Sequence, residues 1–198
     1  MRKIIAFDRV SADGYFSTPD GKLDWTVNDE QLDRDTGGRA GEPGAGTMLF
    51  GRRTYEMFEA FWPHVLDAPT DPHHAGRSSP AIRAMAEYID AATKIVFSKT
   101  RADVTWTNSR LLRDVDPAEV EAIKNGPGKD IMIFGSGSVV SQLSAHGLVD
   151  EYHFVVGPLL LGDGRPLVRD VGKQVRLELL EAKPYPSGNV VLRYALAR

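Results

Sequence analysis

Twice in this chain an apolar run ends on glycine and a helical pattern starts at once. The stretches are "MLFGRRTYEMF" (48–58) and "IMIFGSGSVVSQL" (131–143). A strand that breaks on glycine and restarts as a helix is a place where proteins often hold phosphate. The first N–H groups of such a helix lack intrahelical acceptors, and its dipole favours an anion. Tyr55, Phe58 and Trp62 recur at helical spacing after the first junction. An apolar pattern over 137–146, closed by Gly147, follows the second.

The same alternation runs along most of the chain. Strands are expected at 3–9, 46–51, 93–100, 103–107, 131–134 and 149–158. Helices are expected over 52–62, from Pro80 behind a Ser79 cap, over 116–126 and near 137–146. Asp116 and Glu119 stand in capping-box spacing around Pro117, with Gly126 as the stop. At the end, "VRLELLEAK" and "NVVLRYALA" flank "PYPSG", which reads as a hairpin with a long loop. Two glycine- and proline-rich segments, 36–46 and 65–77, read as loops, the first a candidate lid. There is no internal repeat. The economical reading is one α/β domain over 1–198 with an antiparallel C-terminal hairpin.

Composition narrows the function. With 198 residues, 42% of them hydrophobic and 26% charged, the chain is long enough to bury a substantial core. The absence of cysteine excludes disulfides and thiolate metal sites. A net charge of −3 gives no basic field for nucleic acid. No apolar run approaches the roughly 20 residues that span a bilayer. The start, "MRKIIAFDRV", meets Asp8 and Arg9 before a signal-peptide core can form. A cytoplasmic protein without membrane or nucleic-acid partners is therefore expected. His73 and His74 are adjacent, and His64, His146 and His153 show no ligand spacing, so no metal site is expected.

Which ligand suits the glycine stretch at 131–143? A P-loop needs a Gly-Lys-Ser/Thr end, which is missing. A dinucleotide fingerprint needs a third glycine where Val140 stands, and an acid at the end of the next strand, whereas Asp150 and Glu151 open theirs. Two readings remain open: an anion cradle at Gly137–Val139, or a tight turn with no ligand. The other junction carries Arg52, Arg53 and Thr54, and "VFSKT" ends a third strand in Ser98, Lys99 and Thr100. Strand C-termini gather on one edge of an α/β sheet, where these groups together would suit a dinucleotide with an extra phosphate.

In order and spacing, "TMLFGRRTYEMF", "TKIVFSKT…DVTWT" and "DIMIFGSGSVVSQL" resemble the cofactor half of dihydrofolate reductases. "SADGYFSTPDGKLDW" and "VVGPLLLGDGRPL" are more similar to a related branch, the reductase domain of bifunctional riboflavin-biosynthesis deaminase/reductases (RibD). The resemblance spans essentially the whole chain. It implies a dihydrofolate-reductase-like three-layer fold with a mainly parallel central sheet, and an NADPH-dependent reductase of a pterin- or pyrimidine-like heterocycle. By position, Gly51, Arg52, Arg53 and Thr54 would meet the pyrophosphate and the 2′-phosphate side. Ser98 and Lys99 would lie by the adenosine end. Gly135, Ser136, Gly137, Ser138 and Val139 would wrap the pyrophosphate and nicotinamide ribose. Trp25 would lie near nicotinamide and substrate, and Asp13 matches the branch's S-x-D-G turn, in a substrate or a purely structural role. The related branch is often dimeric, and the strand-rich C-terminus offers an edge for a homodimer.

Two positions depart from the family pattern. Dihydrofolate reductases carry a Gly-Gly pair joined by a cis bond where this chain has Gly135–Ser136. The riboflavin branch carries a substrate-binding glutamate where this chain has Phe134, which argues against a ribitylamino-pyrimidine. For a proton donor, Asp24, Asp29, Glu30, Asp33 and Asp35 are candidates, with Asp29 and Asp33 sharing a face if a helix starts near Thr26. Asp24 is preferred because it adjoins Trp25. The competing function is a non-catalytic NADP(H)- or nucleotide-binding protein that keeps the fold.

Overall fold

The computed structural model describes residues 1–36, 46–67 and 80–197. Its centre is a sheet of eight strands: β1 (Ile4–Ser11), β3 (Thr47–Gly51), β4 (Thr93–Phe97), β5 (Ser109–Leu112), β6 (Ile131–Phe134), β7 (Glu151–Gly157), β9 (Leu177–Pro184) and β10 (Val190–Leu196). The order is β5-β4-β3-β6-β1-β7-β10-β9. The ladders from β5 to β7 are all parallel. Only the terminal hairpin runs antiparallel, β10 against β7 and β9 against β10. This is the mainly parallel α/β sheet with an antiparallel end that the sequence leads one to expect.

Alternation along the strands divides the core into two layers. Ile4, Ala6 and Val10 of β1 pack with Leu49, Ile95, Ile131 and Ile133 under α4 (Pro117–Asn125) and α5 (Gly137–Ala145). Ile5 and Phe7 face the other way, with Met48, Phe50, Val96 and Met132, under α2 (Arg52–Asp67) and α3 (Pro80–Ala91). A smaller cluster joins α1 (Glu30–Thr36) to β7 and β10 through Leu32, Val155, Val191 and Tyr185. A two-stranded sheet pairs β2 (Tyr15–Ser17) with β8 (Arg165–Pro166).

Several boundaries differ from expectation for visible reasons. No strand forms at 103–107. There Trp106 turns inward, donates its indole N–H to Asp90 Oδ1 at 3.0 Å, and the ladder resumes after Asn108 at φ 55°. Helix α2 continues through Pro63 to Asp67. Asp116 caps α4 by accepting from Ala118 N–H at 3.0 Å, but Glu119 binds Arg110 rather than closing the capping box. Segments 37–45 and 68–79, with the expected Ser79 cap, His73, His74 and most of both loops, lie outside the described residues. Among the described residues, no helix is long and apolar enough to cross a membrane.

Candidate functional site

The C-terminal edge of the parallel sheet brings the two glycine junctions side by side. Gly51 ends β3 and Arg52 opens α2 without a linker, while Gly135 and Ser136 bridge β6 to α5. Both bridge residues are left-handed, at φ 54° and 55°, and no peptide bond among the described residues is cis. A residue with a side chain adopts this conformation at a cost on the order of 1 kcal/mol. Here a latch holds it. Ser136 N–H donates to Thr54 Oγ1 at 3.0 Å, Gly51 N–H donates to Ser136 Oγ at 3.0 Å, and that hydroxyl donates to Phe134 O at 3.1 Å. A Cβ on Gly51 would stand 3.5 Å from Ser138 Oγ and 3.6 Å from Val139 Cγ2, which measures how closely the junctions approach. A Cβ on Gly137 would fall 2.8 Å from Leu167 O, so only glycine fits there.

The latch leaves donors facing out. Thr54 accepts from Ser136 and keeps its own O–H to donate. Ser138, in the first turn of α5, is exposed. Arg53 is exposed and makes no ion pair among the described residues. Arg52 instead reaches Glu56 at 3.1 and 3.2 Å. At the end of the neighbouring β4, Ser98 is buried and spends its hydroxyl on its own turn, accepting from Arg101 N–H at 3.0 Å. Lys99 lies at the surface against Asp114 at 2.7 Å. Arg101, which sequence reasoning passed over, pairs with Glu59 at 2.7 Å and lies over the Tyr55 ring.

The remaining site residues lie beyond β1, at the β7 side. Trp25 packs on the end of β7, its ring 3.4 Å from where a Gly157 Cβ would be. Its indole N–H is buried without an acceptor among the described residues. Asp13 pins two loops, its carboxylate accepting from Ser11 Oγ at 2.6 Å, Gly162 N–H at 2.8 Å and Leu161 N–H at 3.1 Å. The Ser11 hydroxyl, with the two amides, holds it below the usual carboxylate range. Asp24 is exposed and its charge acts on Lys22. Asp29 lies outside the helix it was expected to enter and caps it, accepting from Gln31 and Leu32 N–H at 3.0 Å. Asp33 pairs with Arg9 at 2.8 Å.

Two features escaped the sequence. Phe7, Phe134 and Phe58 form an aromatic wall, with ring centroids 5.7 Å apart for Phe7–Phe134 and 6.0 Å for Phe58–Phe134; Trp62 extends it at 5.9 Å from Phe58. The other is Asp8, 3% exposed near the end of β1. Its Oδ2 is buried with no partner among the described residues. Burial pushes the carboxyl well above the usual carboxylate range. The available signal was a lone acid inside the apolar run "IIAFDRV". Among the described residues, no group of His, Cys, Asp or Glu is arranged to hold a metal ion.

Known proteins share this architecture. The chain is 28% identical over 194 residues to the uncharacterized protein YyaP of Bacillus subtilis, covering 98% of this chain and 95% of that one. A putative riboflavin biosynthesis protein from Shewanella sp. PV-4 superposes with a TM-score of 0.73 at 20% identity, covering 99% of both chains. Dihydrofolate reductase from Enterococcus faecalis, solved with NADP(H) and RAB-propyl, superposes with a TM-score of 0.62 at 16% identity, covering 99% of this chain and 97% of that one. The model of the RibD C-terminal domain matches residues 2–191, and the chain belongs to that family, with a dihydrofolate-reductase-like fold.

Proposed function

We propose that this protein is an NADPH-dependent reductase of a planar, nitrogen-containing heterocycle of the pterin or pyrimidine class. The observation that carries the reading is the latched pair of strand-to-helix junctions, with the N-termini of α2 and α5 opening on one sheet edge beside Arg53, which makes no ion pair among the described residues. The donor chemistry fits a dinucleotide. Backbone N–H groups of Gly137 and Ser138 and the Thr54 and Ser138 hydroxyls would hold the pyrophosphate, with Gly51, Gly135, Ser136 and Val139, whose N–H donates to Ser136 O at 2.7 Å, shaping the cradle. Arg53, joined by Arg52, would hold the 2′-phosphate, a group that planar guanidinium forks match well. Ser98 and Lys99 would flank the adenosine. The buried Trp25 indole N–H, lacking an acceptor among the described residues, suits a ligand carbonyl at the nicotinamide end.

Bound NADPH supplies the hydride. The chain supplies the placement. Phe7, Phe134 and Phe58 offer an apolar wall on which a flat ring can stack, with the Arg9–Asp33 pair on the same face of β1. That wall carries no acid for sugar hydroxyls, which favours substrates without a ribosyl arm. The edge strand β9 exposes Leu179 and Leu180 at 58% and 53%, which supports pairing between two copies.

The direct test is NADPH oxidation with dihydrofolate, with the ribosylamino-uracils of riboflavin synthesis, and with smaller pterins and pyrimidines. Turnover of a ring lacking the ribosyl arm is the expected result. A thermal shift with NADPH but no turnover of any heterocycle would favour the non-catalytic NADP(H)-binding alternative.

A further inference from the structure

Arg52, Tyr55, Glu56 and Glu59 follow at helical spacing from the first residue of α2, so they share one stripe of the helix. Arg101, in the loop that leaves β4, lies along that stripe. Its guanidinium sits over the Tyr55 ring, 4.9 Å from the centroid. Its Nη2 is 2.7 Å from Glu59 Oε2, and its Nη1 is 3.7 Å from Glu56 Oε1. Arg101 Nε–H donates to Asp103 O at 2.7 Å, and Arg113 Nη1 pins the loop by donating to Arg101 O at 2.6 Å. With 18% of its side chain exposed and contacts on every side, Arg101 is a fixed cation.

Glu56 stands between two arginines. Arg52 Nη1 reaches both of its oxygens, at 3.2 and 3.1 Å, and Arg101 approaches from the other side. The two partners differ in what they would lose without it. Arg101 keeps Glu59, Asp103 O and the Tyr55 ring, whereas Arg52 makes no other side-chain bond among the described residues. Of the two arginines that open α2, one therefore carries a compensated charge and the other, Arg53, does not. A phosphate monoester near neutral pH carries roughly −1.5 to −2 charge, so at Arg52 it competes with a carboxylate and is repelled by it. The Arg52–Glu56 pair is half-exposed, at 41% for each side chain, and such pairs are weak enough to exchange. Arg101 gives Glu56 a second cation to turn towards when they do.

We propose that Glu56 is a positioning residue that tunes cofactor selectivity: it holds Arg52 back from the 2′-phosphate and so lowers the preference for NADPH over NADH. The inference rests on the proposed cofactor site. A dinucleotide without the 2′-phosphate has no claim on Arg52, so the restraint acts on NADPH alone. Full selectivity is reached only when Glu56 releases Arg52.

The test is a double-mutant cycle of Glu56→Gln with Arg52→Ala, read by titration of NADPH and of NADH. Gln keeps the size of the side chain and removes its charge at a half-exposed helix position, so the fold is retained. E56Q should bind NADPH about three- to tenfold more tightly than wild type, because an ion pair is released and a like charge removed. Its affinity for NADH should change by less than about twofold. In the R52A background the same substitution should gain less than about twofold for NADPH, since no guanidinium is left to release. An NADPH gain below about twofold in E56Q, an equal gain for NADH, or a gain that survives in R52A overturns the role of Glu56 and leaves the cofactor site standing. Failure of the wild type to bind either dinucleotide overturns the proposed function itself.

Discussion

Replacing Lys94 with alanine should lower the thermal unfolding midpoint by about 6–12 °C, from a loss of about 3 kcal/mol. Lys94 is fully buried on β4, and its ammonium donates to the carbonyls of Asp90 at 2.9 Å, Ala92 at 3.0 Å and Thr107 at 3.1 Å. The first two close the end of α3, and the third belongs to the turn before β5. The same nitrogen lies 4.4 Å from the centroid of the Trp106 ring, whose N–H is tied to Asp90. One cation therefore joins a helix end to a strand and to the turn before β5, beside the bond from Lys94 N–H to Asn108 O at 2.8 Å. Removing it strands these acceptors and opens space beside the indole. Lys94→Met keeps the stem and should lose about 2 kcal/mol, which separates the carbonyl contribution from packing. A calorimetric shift below about 3 °C for the alanine variant would show that water replaces the ammonium at little cost.

The second large effect concerns the cradle. Gly135→Val should weaken NADPH binding by about 30- to 100-fold, a cost of about 2–3 kcal/mol. At φ 54° a β-branched residue is strained, and its Cβ would stand 3.2 Å from Thr54 Oγ1 and 3.4 Å from Thr54 Cγ2. Thr54 is the acceptor that fixes Ser136, so displacing it loosens both junctions. Gly135→Ala meets the same atoms with a smaller group and should lose about tenfold. Cofactor titration measures both, with a thermal melt as control. Affinity within threefold of wild type for the valine variant would mean that the turn does not shape the binding site.

How much of this was legible in the sequence follows from range. The β3–α2 and β6–α5 junctions, the Asp116 cap and the terminal hairpin are written in residues a few positions apart, and they appear where expected. The two-residue β8 carries no periodicity, since its pairing with β2 depends on a loop returning from Gly157. At 103–107, alternating residues suggested a strand, but Trp106 is drawn inward by Asp90, a partner on another element. The site divides in the same way. Gly51, Thr54 and Gly135–Val139 are recognisable by local chemistry, and the fold brings them together. Asp8 is enclosed by elements far along the chain, so its burial could not be read from "IIAFDRV". Acids that looked equivalent in "LDWTVNDEQLDRDT" separate only in three dimensions, into the exposed Asp24, the capping Asp29, Asp33 on Arg9, and Asp35 on Lys183 and Tyr185.

The central claim is that the two junctions and their arginines form an NADPH cradle. The most direct measurement is the dissociation constant of NADPH and of NADH for the wild type and for Arg52→Ala/Arg53→Ala. The account predicts that the wild type prefers NADPH by at least tenfold and that the double variant loses most of this preference while NADH affinity changes by less than about threefold. Equal losses for both cofactors, or no binding of either by the wild type, would contradict it.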